Sequence, residues 1–184
     1  MITGGHVYDI LLSGEKEAGM ISSQDKLELL ETLRRTPTML SAFIKTITED
    51  KMNVRRGEEF WTIAEHVVHL AEVQPMLLTR FQRFVTEDNP EFIPYIPKEN
   101  IEEPVSHPRI SVAEALEMFS EYRRKEIELL KDTDNTVWKK IGLHPEYELY
   151  SMEILARHVL LHDYWHMYRI EALWLTRDAY LTKF

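Results

Sequence analysis

Histidines at helical spacing are the residues best placed to do chemistry. His158, His162 and His166 recur every four positions in LARHVLLHDYWHMYRIEALW, a stretch that begins at Leu155. On a helix this spacing keeps them on one side, drifting by about 40° per step. Leu155, Val159, Ile170 and Leu173 project to the same side, so His162 and His166 fall within an apolar stripe. Buried imidazoles need partners for their nitrogens, and burying two of them cationic costs several kcal/mol. A shared metal ion binds both as neutral ligands, whereas separate hydrogen bonds would make them ordinary core histidines. Upstream, WTIAEHVVHLAE offers His66 and His69, with Glu65 and Glu72 beside them. A helical wheel puts His66 nearer the centre of the apolar face than His69, so periodicity alone does not choose between them.

Composition narrows the donors. The 184-residue chain has no cysteine, so there are no disulfides, no thiolate nucleophile and no cysteine-ligated metal. A metal must be held by nitrogen and oxygen. The formal charge of −9 argues against a nucleic-acid binder, which needs a positive footprint. The paired arginines Arg34-Arg35, Arg55-Arg56 and Arg123-Arg124 read as solvated helix faces. No run of eighteen apolar residues predicts a membrane span, and no secretory signal is expected at the N-terminus. A cytoplasmic protein fits these features.

The elements that must position the histidines are helical. A first helix is predicted from Ser23 to Thr48, opened by Ser22, Ser23 and Asp25 and kinked or broken at Pro37. Its apolar stripe is Leu27, Leu30, Leu33, Leu40, Phe43, Ile44 and Ile47. A second runs from Glu58 to Thr86 and is interrupted at Pro75, close to the histidines. A third runs from Ser111, in a capping box with Glu114, to Lys131, and a fourth from Ser151 to Thr176. Between the second and third, Asn89 to Ile110 holds five of the eight prolines. A connection that long is suited to crossing the whole bundle, which would let the second and third helices run in the same direction. The expected fold is all-α: residues 21–184 as one four-helix bundle, up-down-down-up, with residues 1–20 as a loosely attached arm. A ferritin-like carboxylate site is excluded, because the paired Glu-x-x-His motifs it needs are missing.

The segments Trp61-Thr62-Ile63-Ala64-Glu65 and His69-Leu70-Ala71-Glu72 resemble the second-helix motif of DinB-like proteins. His162-Asp163, then His166 and Arg169-Ile170-Glu171-Ala172-Leu173, resemble the family's closing helix. Arg35-Thr36-Pro37, the proline-rich crossover and His144-Pro145 agree in order, so the resemblance spans Leu27 to Leu175. It implies one divalent metal held by His69, His162 and His166. His66 and His158 have no counterpart, and His144 reads as a surface residue. Arg169 stands where many relatives carry glutamine and is expected to turn away, towards Glu171 or Glu65.

Three neutral imidazoles leave a coordination position open, the layout of catalytic sites. Imidazole ligation suits zinc or nickel first, with iron or manganese also compatible. The resemblance further implies a transferase that activates a small thiol such as bacillithiol, mycothiol or glutathione for attack on an electrophile, as part of a stress response. The alternative is a non-catalytic protein whose ion is structural. Partners are then a small-molecule thiol and an electrophile, with no nucleic acid and no membrane, and a homodimer through helix faces is compatible with the resemblance. Tyr164, Trp165 and Tyr168 either line the pocket mouth or pack against neighbours.

Overall fold

A computed structural model describes residues 22–94 and 110–182. The predicted arm and most of the crossover lie outside the described residues. The main helices are α1 (Ser23–Ile44), the pair α3 (Ile63–Glu72) and α4 (Gln74–Thr86), α5 (Val112–Lys131) and α7 (Met152–Leu175). Single-turn helices α2 (Glu49–Met52) and α6 (Asn135–Trp138) lie in the connections. None of the described helices is long and apolar enough to cross a membrane.

Local signals set the helix starts. Ser22, Thr62 and Ser111 each accept a bond from the N3 backbone N–H, and Asp25, Glu65 and Glu114 reach back to complete capping boxes. Ser151 caps α7 through the Ile154 N–H. The second helix therefore begins at Ile63 rather than at the predicted Glu58, because Thr62 caps it there.

The two prolines act differently. Pro75 lacks the N–H that would serve Ala71, and the helix divides at Val73, which closes α3 and opens α4. Gln74 answers part of the disruption by donating its side-chain amide to the Leu70 carbonyl at 2.8 Å. α1, by contrast, runs unbroken through Pro37. The carbonyl that Pro37 cannot serve belongs to Leu33, and the Thr36 hydroxyl lies 3.1 Å from it.

Two apolar clusters reveal the topology. One joins Leu30 and Leu33 of α1, Leu77 to Phe84 of α4, Leu130 of α5 and Leu155 and Val159 of α7. The other joins Leu40 and Ile44 of α1, Ile63 to Ala71 of α3, Ala115 and Phe119 of α5 and Ile170 and Leu173 of α7. The start of α1 thus shares an end of the bundle with the close of α4, the close of α5 and the start of α7. That order is up-down-down-up. α5 and α7 each pack against both α1 and the α3/α4 pair. The second and third helices are parallel neighbours, as the long crossover requires.

Between the two clusters the core turns polar. Thr36, His66, Gln74, Arg123, Glu126, Asp163 and His166 are all buried at this level. This polar waist receives side chains from every long helix. It also corrects one expectation: Arg123 is 2% exposed and is no solvated arginine. Arg56 departs too, donating to the Leu173 carbonyl at the end of α7 and pairing with Asp178. Leu27 departs the other way, standing 61% exposed outside the core stripe.

Candidate metal centre

α3 and α7 place their histidines face to face across the waist. His162 Nε2 lies 3.2 Å from His69 Nε2 and 3.1 Å from His166 Nε2. One nitrogen from each of the three falls within 4.8 Å of the other two. Three imidazoles with converging Nε2 atoms cannot satisfy one another, since each neutral nitrogen is either donor or acceptor. A tetrahedral ion with bonds near 2.05 Å separates its nitrogen ligands by about 3.3 Å, so the observed spacing fits a shared cation.

Electrostatics agree. Burial lowers His69 and His162 from the usual 6.5 to about 4. Nearby His69 and Arg123 lower His162 further. His166 is driven down hardest, by burial and then by His162, His69 and His66. All three are neutral at physiological pH, the state in which imidazole binds metal.

His66 was not implied as a ligand, and it is no surface residue. It is 4% exposed, and its Nδ1 lies 2.8 Å from His166 Nδ1. If His166 Nε2 serves as a metal ligand, its proton sits on Nδ1 and is donated to His66. Burial, together with the nearby positive charge of Arg169, lowers His66 to about 3, which keeps it an acceptor. The signal for this role was the wheel position that put His66 at the centre of the apolar face. Trp61 covers the group, its ring 5.0 Å from that of His69 and 5.3 Å from that of His66. Trp165 sets its edge 4.7 Å from the His166 ring while staying partly exposed.

The flanking carboxylates do not join the cluster. Glu65 is the N3 member of the Thr62 capping box and pairs with Arg55. Glu72 is exposed. Arg169 turns to the Thr182 carbonyl at 3.1 Å and to the Phe60 ring, rather than to the predicted Glu171 or Glu65. Tyr164 and Tyr168 are exposed on the outer face of α7.

On the other side of α7, Asp163 accepts from Thr36 Oγ1 and Arg123 Nη2, each at 2.8 Å. Arg123 Nη1 also pairs with Glu126 at 2.9 Å. Burial pushes the Glu126 carboxyl up to about 7, Arg123 opposing and Asp163 adding to the rise. Burial raises Asp163 as well, against Arg123 and Thr36. One cation therefore stands against two carboxyls, both pushed up by burial.

His144 is buried at 8% exposure rather than on the surface. Its position follows from pairing between two connections: Phe92 donates to the Leu143 carbonyl at 2.7 Å, and Leu143 to the Pro90 carbonyl at 2.9 Å. Gly142 makes this approach feasible, since a Cβ there would stand 2.6 Å from Phe92 Cε2. The clip brings His144 to a cavity of about 330 Å³ that His69 and His162 also line. His158 lines the same cavity, half-buried, with its ring 5.2 Å from Tyr147.

Helix order and waist together define a four-helix-bundle protein with three convergent imidazoles beside an open cavity. The chain belongs to the DinB superfamily, whose family model matches residues 32–170. It is similar to YfiT of Bacillus subtilis (strain 168), a protein named provisionally as a metal-dependent hydrolase, at 24% identity over 157 residues covering 83% of this chain and 86% of that one. The solved YfiT structure superposes with a TM-score of 0.72, covering 83% of this chain and 87% of its own, and is described as having an unusual four-helix bundle topology.

Proposed function

We propose that the protein is a metal-dependent enzyme in which His69, His162 and His166 hold one divalent cation, zinc or nickel in the first instance. The observation that carries this reading is the convergence of three neutral Nε2 atoms at the margin of the cavity. A cation there supplies Lewis-acid chemistry, acidifying a water or a thiol so that a nucleophile is available at neutral pH. The protein's own residues do the rest. His66 fixes the tautomer and ring plane of His166, Trp61 excludes bulk water from one side, and the cavity admits the electrophile from the other.

Similarity to YfiT favours water as the nucleophile and a hydrolytic reaction. The absence of cysteine is also compatible with a thiol brought by a cosubstrate, giving S-transfer to an electrophile. A structural ion is the competing reading, favoured by the place of the cluster between α3 and α7 in the core.

The test starts with elemental analysis of untagged protein beside His162→Ala. About one transition metal per chain, lost in the variant, is the expected result. No metal in either, and none taken up from zinc or nickel solutions, overturns the proposal. Loaded protein is then assayed on ester and amide substrates and, with bacillithiol or glutathione, on alkylating electrophiles. Metal-dependent turnover without thiol marks the hydrolase, and turnover only with thiol marks the transferase. Tight metal binding with neither activity marks the structural ion.

A further inference from the structure

The cavity beside the histidine cluster has a second polar end. Its walls are apolar where Val73 and Leu77 face Leu155 and Val159, and at its far end stand Arg80, His144 and Tyr150. The polar group at that end is rich in donors. Arg80 gives one bond to the Tyr150 hydroxyl at 3.2 Å and one to the Ile93 carbonyl at 2.7 Å. Both acceptors are neutral, and among the described residues no carboxylate forms an ion pair with Arg80. A guanidinium carries five N–H donors, so several remain. Tyr150 is 2% exposed and accepts from Arg80, which leaves its own hydroxyl proton to donate. His144 Nδ1 accepts from the Glu146 backbone N–H at 3.2 Å, so the neutral ring carries its proton on Nε2. Glu146 also lines the cavity, but it is exposed and forms no ion pair among the described residues.

We propose that this cavity binds a small organic carboxylate: the anion sits against Arg80, with Tyr150 and His144 as further donors, and a short apolar body lies between Leu77 and Val159. The body then leads towards His69 and His162, so the substrate class is an acid bearing its reactive group at the end remote from the carboxylate. The orientation rests on the metal reading above; the carboxylate site does not. A guanidinium with no counter-ion among the described residues, beside apolar walls, discriminates for an anion over a neutral isostere, because an ion pair there is charge-assisted. The volume of about 330 Å³ suits a ligand near the small end of the usual range. The chain's overall charge of −9 gives no long-range attraction to an anion, so selectivity is local.

The experiment uses zinc-loaded protein and calorimetric titration with pairs of hydroxamates. Each pair matches an ω-carboxyalkyl hydroxamate with the alkyl hydroxamate of equal chain length, across four to eight carbons. Both members offer the same chelating head, so their ratio isolates the carboxylate. The expected result is about tenfold tighter binding of the carboxylated member at one optimal length. Arg80→Gln removes that ratio and Tyr150→Phe reduces it, with zinc content and melting temperature unchanged. Equal binding within every pair, or a ratio that survives Arg80→Gln, overturns the proposal. Should the chain bind no zinc, hexanoate is titrated against hexanamide on the metal-free protein. A preference for hexanoate that Arg80→Gln abolishes upholds the carboxylate site even as the metal reading falls, and no preference overturns it.

Discussion

Both faces of α7 carry buried polar groups, and they solve the problem of burial in opposite ways. On one face Asp163 meets Arg123 and Thr36, with Glu126 alongside, and opposite charges answer one another inside the protein. On the other face His162 and His166 meet His69 and His66, and nothing of opposite charge stands among them. The ionic side carries both signs of charge within the chain, although Asp163 Oδ1 and both Glu126 oxygens accept no hydrogen bond among the described residues. The imidazole side is a set of ring nitrogens converging on a shared point, the arrangement that the proposed cation would complete. Adjacent residues in one helix, His162 and Asp163, thus enter two different buried polar groups.

The contrast can be broken most severely at Arg123. Arg123→Met leaves two buried carboxyls without their cation and is expected to cost about 3–5 kcal/mol, with or without metal, in denaturant unfolding. Glu126→Gln should cost less, because burial lifts that carboxyl to about 7 and a good part of it is already protonated at that pH. A smaller effect for Arg123→Met than for Glu126→Gln would show that the ionic side is not what holds the waist.

On the imidazole side the expected loss depends on metal. Zinc at a thousandfold excess over its dissociation constant stabilises a folded binder by about 4 kcal/mol. His162→Ala should abolish that increment while altering the metal-free protein less, and the same increment in both proteins would remove His162 from the site. Acidity offers a milder probe of the metal-free chain. His69 and His162 fall from 6.5 to about 4 on folding, so the unfolded chain binds more protons between those values. Stability is therefore full above pH 6.5 and declines as the pH falls towards 4. A melting temperature flat across that window would contradict the burial of neutral imidazoles.

Two substitutions sharpen the assignment at its edge. His66→Ala removes the acceptor for His166 Nδ1–H and should weaken zinc binding by about 10–100-fold without abolishing it. His158→Ala is expected to leave zinc affinity unchanged, being the smallest effect of the series. Equal losses for both would mean that the cluster extends farther along α7 than its geometry indicates.

The starts of the first, third and fourth helices were readable from capping residues, and the parallel second and third helices from one long proline-rich connection, whereas the Thr62–Glu65 cap that starts the second helix at Ile63 was missed. His162 and His166 were readable because two polar residues stood in an apolar stripe. The same signal was present in α5, where Phe119, Arg123, Glu126 and Leu130 recur at helical spacing, but Arg123-Arg124 passed for a solvated pair. His144 could not be placed from its neighbours in sequence. Its burial depends on backbone pairing between Phe92 and Leu143, more than fifty residues apart, and on the missing side chain of Gly142. His69 illustrates the intermediate case: periodicity favoured His66, and only the facing geometry of α7 shows that His66 backs the cluster while His69 enters it.

The break at Pro75 has a bearing on how such a protein can change over generations. His69 lies before it on α3 and Arg80 after it on α4, so the imidazole end and the guanidinium end of the cavity stand on two helical segments that meet at Val73. Under the carboxylate reading, metal binding and part of ligand recognition would thus be open to change on different segments of one chain.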